Sequence, residues 1–299
     1  MQYLSDYKAP CKQCDRRRYI IQRQGMHAKA QRCQSCFDVC PLCAGAEYTF
    51  VRDNQGYKYA KRCGVCGTLD SKISAYNNAR IPAHYHSADF SNFDVQRASN
   101  QDANRFDEEI GNLSKIRTQL FRWVQTYASA EPGFLLYGRP GSGKTHLMAA
   151  VMRHLTLEKS VNARFIEFTH LLGELRTQFD KGKGDSNVIK PLIDAPVLAI
   201  DELGKGVNNE WQLSVLDELI SKRYNQNKTT LFTSNFMIEP QGFKTTDVGL
   251  PDFTRSVVLG SLQERVGDRI FSRLFEMTSF VHVDAPDYRR DTQGHPAKF

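Results

Sequence analysis

The apolar positions of this chain follow three rhythms. In YTFVRDNQGYKYAKR, residues 48–62, strand-forming residues alternate around a DNQG turn, which predicts a β-hairpin. Between about Phe106 and Ala128, Ile110, Leu113, Ile116, Leu120, Val124 and Tyr127 recur at helical spacing and predict an amphipathic helix. Beyond that, short continuous apolar runs predict buried strands at Phe134–Tyr137, in ARFIEF, at Val197–Ile200, in TTLFTS and in SFVHV. Helical patterns separate them. Leu171, Leu172, Leu175 and Phe179 make one apolar face, and Ile270, Leu274 and Met277 make another. Strands that alternate with helices imply an α/β domain. The stretch from 67 to 105 is rich in Ser, Asn and Ala and reads as a loop-rich connector.

Composition changes this picture at the N-terminus. The chain has 299 residues, enough for one or two domains with a full core. It has no apolar run long enough to span a bilayer and no leader-like apolar segment at the start, so a cytoplasmic protein without a membrane partner is expected. All eight cysteines precede residue 67, in four Cys-x-x-Cys pairs: Cys11/Cys14, Cys33/Cys36, Cys40/Cys43 and Cys63/Cys66. Reduced thiols at this spacing suit metal rather than disulfides. A knuckle gives two sulfurs to one ion and structural zinc takes four, so two closed sites and two Zn²⁺ per chain are expected. The gaps between pairs are 18, 3 and 19 residues. Sequential pairing leaves room for a short hairpin in each long loop; a cross-brace would instead join the first and third pairs. Residues 1–66 hold 12 Lys/Arg and 5 Asp/Glu, so the whole formal charge of +7 resides there. Part of it balances metal thiolates, and attraction to nucleic acid is the other use open to it.

The second region carries chemistry. GRPGSGKT follows the strand Phe134–Tyr137 and opens a helix, the setting of a Walker A loop. Gly138, Pro140, Gly141, Ser142, Gly143, Lys144, Thr145 and His146 are the expected nucleotide contacts. Backbone N–H groups would cradle phosphate at a helix N-terminus, with Lys144 on the β- and γ-phosphates and Thr145 on Mg²⁺. PVLAIDELG places Asp201 and Glu202 at the end of a buried strand, as in Walker B: Asp201 for the Mg²⁺ shell, Glu202 to activate water. LFTSN ends a further strand on polar residues, and Asn235 is the group expected between Walker B and the γ-phosphate. In SLQERVGDRIFSRLFEM, Arg265, Arg269 and Arg273 recur every four residues beside a separate apolar face.

In order and separation, GRPGSGKT, VLAIDELG, LFTSN and DRIFSRL resemble the AAA+ ATPases of the DnaC/DnaI helicase-loader and IstB transposition-helper group. The lead-in ARIPAHYHSADFSNF resembles that group too. The resemblance covers roughly residues 80–290. It implies a lidless P-loop domain with a five-stranded parallel sheet in the order 5-1-4-3-2. It makes Asn235 the sensor 1 residue, Arg273 the arginine finger and Arg269 the second basic residue of that motif. It implies an ATPase that hydrolyses ATP in a homo-oligomer, in DNA replication, with a replicative helicase and single-stranded DNA as partners. Arg176, Lys181 and Lys183 are then the DNA-facing candidates. A zinc-binding N-terminal module that docks on the helicase is a feature of DnaI-type loaders, although two sites depart from their single zinc. A transposition helper or a nucleotide-binding scaffold are the alternatives. The expected boundaries are 1–66 for the zinc module, 67–105 for the linker, 106–290 for the AAA+ domain and 291–299 for the tail.

Overall fold

The computed structural model describes residues 11–95, 103–180, 186–238 and 260–288, apart from residues 16, 36–39, 41, 45, 65 and 286. The chain divides into two compact units. The first comprises Met1–Ser87 with Arg153–Asn162, the second Ala88–Met152 with Ala163–Phe299.

The first unit contains one small motif built twice. Strands β1 (Tyr19–Gln24) and β2 (His27–Arg32) form one antiparallel hairpin, and β3 (Tyr48–Arg52) and β4 (Lys58–Arg62) form the other. Each follows a cysteine knuckle with the same backbone plan. Asp15 N donates to Cys11 O at 2.8 Å, and Ala44 N to Cys40 O at 2.8 Å. Cys33 N donates to Arg18 O at 2.9 Å, and Cys63 N to Glu47 O at 2.7 Å. Left-handed residues fall at equivalent places, Asp15 and Ala44 (φ 46 and 50) and then Arg18 and Glu47 (φ 65 and 62). The strain of a positive φ in four non-glycine residues is tolerated because it turns the chain toward the thiol pairs.

The surroundings of the two copies differ. Helix α1 (Leu69–Ala79) covers the first hairpin, burying Leu69, Ala75 and Tyr76. Asn77 fastens it to β2: its Oδ1 accepts from Ala30 N at 2.8 Å and its Nδ2 donates to Ala30 O at 3.0 Å. Ala28 N reaches Ile81 O at 2.8 Å. Arg32 joins the parts, donating to Glu47 at 2.8 Å and also to Asp70 of α1. Among the described residues no helix covers the second hairpin in this way, and β4 is exposed along its whole length. A helix at 69–79 corrects the reading of that stretch as linker.

The second unit is α/β. Its strands β5 (Gly133–Tyr137), β6 (Ala163–Glu167), β7 (Val197–Asp201), β8 (Thr229–Ser234) and β9 (Thr278–His282) form a parallel sheet in the order β6-β7-β8-β5-β9. Numbered within the domain this is 2-3-4-1-5, the expected order read from the other edge. Helices α2 (Ala103–Thr126), α3 (Lys144–Leu157), α4 (Phe168–Asp180), α5 (Ser186–Asp194), α6 (Glu210–Asn225), α7 (Leu262–Val266) and α8 (Asp268–Met277) complete it. Strands β7 and β8 are buried at every position, as central strands covered on both faces must be, and the buried hydroxyls of Thr229, Thr230, Thr233 and Ser234 in β8 are hydrogen-bonded. Leu135, Leu198, Ile200 and Phe232 of the sheet form one core with Phe168 and Leu171 of α4. Among the described residues of this unit one charged side chain is fully enclosed. Arg223 of α6 donates from Nη1 to the carbonyls of Leu192, Ile193 and Ala195 at 2.7, 3.1 and 2.8 Å, and from Nη2 to Thr229 O at 2.6 Å. It satisfies the last carbonyls of α5, which no intrahelical N–H can reach.

Candidate functional site: a phosphate cradle and two cysteine centres

The cradle lies where β5 turns into α3. Gly138 has φ 143, and a Cβ there would stand 2.4 Å from Val283 O of the neighbouring strand end, so only glycine fits. Gly143 has φ 93, and a Cβ would lie 2.7 Å from the Phe93 ring. The loop is bracketed on two sides. Asp89 O and Asn92 Oδ1 accept from His146 Nε2 at 3.2 and 3.1 Å, and Tyr288 N donates to Gly141 O at 3.2 Å. Burial lowers the His146 pKa, against the raising by its bond to the Asp89 carbonyl. Lys144 is buried. Its Nζ donates to Gly138 O, Arg139 O and Ser142 Oγ at 2.9, 2.7 and 3.3 Å.

Beside it stands the acidic pair at the end of β7. Thr145 Oγ1 donates to Asp201 Oδ1 at 3.0 Å, so the two groups expected to share Mg²⁺ already touch. Burial pushes the Asp201 carboxyl above its ordinary value, against the lowering by the Thr233 and Thr145 hydroxyls. A divalent cation would reverse that penalty, and two oxygen donors in contact suit a hard ion that keeps its remaining ligands as water and phosphate. Glu202 adopts φ 57, a left-handed turn at the strand end. Its carboxylate is ion-paired with Lys205, three residues on.

Strand β8 supplies a group that sequence reasoning missed. Thr233 Oγ1 donates to Asp201 Oδ1 and accepts from Glu202 N, the latter at 3.0 Å. Thr233 therefore holds both acidic residues in place. Asn235 lies just past the end of β8 and is half-buried. The difference comes from where the strand stops: Thr233 is still within β8, which pairs with β7, while Asn235, two residues on, is already past its end. Arg273 and Arg269 both reach Asp217 of α6 in the same chain, at 3.2 and 3.6 Å; Arg269 is the exposed one and Arg273 the more covered. Arg265 stacks over the Phe236 ring at 5.0 Å. Arg176 lies over the Trp211 ring at 5.7 Å. Lys181 and Lys183 lie outside the described residues.

In the first unit the sulfurs gather into two groups. Those of Cys40, Cys43, Cys63 and Cys66 lie within 4.8 Å of one another, as do those of Cys11, Cys14 and Cys33. Cys36 lies outside the described residues. Four sulfurs at about 2.3 Å from a tetrahedral Zn²⁺ are roughly 3.8 Å apart. The pairs Cys40–Cys63, Cys43–Cys66 and Cys11–Cys33 stand at 3.7, 3.3 and 3.8 Å. A disulfide would need about 2.05 Å, so the spacing fits a shared cation instead. The third and fourth pairs share one centre, as sequential pairing requires and a cross-brace forbids.

The profile of the family described as IstB-like ATP binding protein matches residues 72–250, more than half of the chain. The chain belongs to that family. Among curated relatives of this IstB-like protein, uncharacterized protein YqaM of Bacillus subtilis (strain 168) is 32% identical over 109 residues, 35% of this chain and 34% of that one. The replicative helicase loader DnaC of Escherichia coli (strain K12) is 22% identical over 165 residues, 55% of this chain and 62% of that one. The chain thus spans less than two thirds of the length of both relatives. A crystal structure of the DnaC helicase loader superposes with a TM-score of 0.50 at 23% identity, covering 67% of this chain and 99% of that one. The fold is accordingly that of an AAA+ domain, and the chain is an ATP-binding AAA+ protein preceded by a cysteine-rich unit. No helix among the described residues is long and apolar enough to cross a membrane.

Proposed function

We propose that this chain is an ATP-driven loader of a replicative helicase: it hydrolyses ATP between subunits of a homo-oligomer, in the cytoplasm, on single-stranded DNA. The observation that carries the reading is the contact between Thr145 and Asp201, with Lys144 and Glu202 on either side. Lys144 would exchange its loop carbonyls for the β- and γ-phosphates. Thr145 and Asp201 would hold Mg²⁺, which neutralises developing charge on the phosphoryl oxygens. Glu202, released from Lys205, would take a proton from the attacking water, with Thr233 fixing its backbone and Asn235 reading the γ-phosphate as sensor 1. Arg273 and Arg269 would leave Asp217 to reach a neighbouring subunit's nucleotide. Arg176, Lys181 and Lys183 are the DNA-facing candidates inside the ring, with Arg176 leaving Trp211. The cysteine unit, with one Zn²⁺ on Cys11, Cys14, Cys33 and Cys36 and another on Cys40, Cys43, Cys63 and Cys66, would grip the helicase as a separate domain. The similarity to a protein named a replicative helicase loader supports this reading.

The family description supports a second reading, a transposition helper that uses the same ATPase residues. Native mass spectrometry of the chain with its host's replicative helicase, in ATP and in ADP, separates them. An ATP-dependent complex with two zinc ions per chain is expected for a loader. Absence of any complex, with zinc retained, would move the assignment to the helper.

A further inference from the structure

We propose that the bare hairpin β3–β4 is a stacking platform for single-stranded DNA. Nine large apolar side chains stand exposed among the described residues, and four of them crowd onto this one hairpin: Phe50 at 77%, Tyr57 at 70%, Tyr59 at 49% and Tyr48 at 47%. Exposed aromatics in a cluster mark a binding surface rather than a stable resting state.

The pairing shows how the rings are presented. Tyr48 and Phe50 stand opposite Arg62 and Ala60 on one face of the hairpin, and Tyr59 opposite Val51 on the other, so no ring faces another across the strands. Tyr48 and Phe50 share one face of β3, roughly 6.8 Å apart at about 3.4 Å per residue. That spacing lets two successive bases of an extended strand each take a ring.

The charge selects the partner. Arg52, Lys58 and Arg62 share the face of Tyr48 and Phe50, while Lys61 lies on the other. Asp53, the one acidic residue between Tyr48 and Arg62, is folded into the turn, its Oδ1 accepting from Gln55 N and Tyr57 N at 2.9 Å each. Cations interleaved with open aromatic faces, with no acid competing, match a phosphate backbone with splayed bases. The first hairpin is the internal control. It has the same knuckle and turn plan, but Ala28 and Ala30 of β2 are buried and Asn77 of α1 ties down that strand. The repeated unit therefore folds without exposed rings, and those on β3–β4 are not required by the motif. The choice of DNA over RNA rests on the function proposed above; the surface itself asks only for a flexible polyanion with bases.

The test uses the full zinc-loaded chain without nucleotide. Fluorescence anisotropy with a labelled oligothymidylate is compared for the parent chain, Phe50→Ala, Tyr48→Ala and the double variant Lys58→Gln/Arg62→Gln. Phe50→Ala and Tyr48→Ala are each expected to weaken binding about tenfold. The double variant is expected to lower the slope of log K against log salt by about 1.4, at roughly 0.7 per lost phosphate contact. Zinc content and binding of an ATP analogue are read on every variant and should not change. Loss of ATP-analogue binding in the parent chain would sink the ATPase reading and leave the platform standing. Undiminished DNA binding in both aromatic variants would overturn the platform, as would equal affinity for a duplex. Tighter binding of oligouridylate would overturn the choice of DNA. Aromatic variants that bind DNA like the parent but lose the helicase would reassign the hairpin to a protein partner.

Discussion

The two units of this chain are held together by opposite means. The sheet unit buries a large apolar core and is an ordinary core-stabilised domain; Leu135, Leu198 and Phe232 are wholly buried. Around the second cysteine centre, the buried residues that cluster are Cys40, Cys63 and Cys66, with Cys43 against them. Thiols do there what leucines do elsewhere. A hairpin that needs no apolar face for its stability is free to turn Phe50 and Tyr57 outward. Metal-held folds can thus expose aromatic surface that a core-held fold of the same size would have to bury.

The sharpest way to break the comparison is to remove the metal. Chelation, or Cys63→Ser, should unfold the second cysteine unit, since structural zinc contributes on the order of 10–16 kcal/mol per site. Binding of an ATP analogue at Lys144 should survive, as checked by calorimetry alongside zinc analysis. Loss of both together would mean that the two units share one stability. The converse experiment targets the sheet unit. Arg223→Met removes the donors for four backbone carbonyls and should cost about 3 kcal/mol, seen as a lower thermal midpoint with zinc content unchanged. The smallest expected effect concerns the acidic pair. Lys205 is half-exposed, so its pair with Glu202 is worth less than about 1 kcal/mol. Lys205→Ala should leave ATP affinity alone and raise the basal turnover of the unassembled chain by no more than about fivefold; a fall would show that Lys205 helps the chemistry instead of restraining Glu202.

Much of this was legible in the sequence, for physical reasons. Central parallel strands must be apolar on both faces, so FLLY and VLAID announced themselves. Sulfur pairs two residues apart can face only a common ion or each other. What stayed hidden had weak or misleading signals. Helix α1 buries its stripe with Leu69, Ala75 and Tyr76 among Ser and Asn, so it looked like a linker. The repeat of the cysteine unit is carried by backbone turns at Asp15 and Ala44, residue types with nothing in common. Thr233 and Asn235 are both polar at a strand end, and only the point at which β8 stops decides which of them meets Asp201. Arg223 sits in SKRYN, where a basic residue looks solvated, yet it is enclosed among carbonyls.

The most direct test of ATP hydrolysis shared between subunits is a mixing assay. Arg273→Ala and Lys144→Ala should each turn over ATP at a small fraction of the parent rate, since a finger is worth roughly 10³–10⁵. Combined, they should recover turnover well above the sum of the two alone, because an intact Arg273 can then meet an intact cradle across an interface. A mixture that never exceeds that sum, at any ratio and at concentrations where the parent chain assembles, would contradict a site shared between subunits and leave Arg273 a structural partner of Asp217.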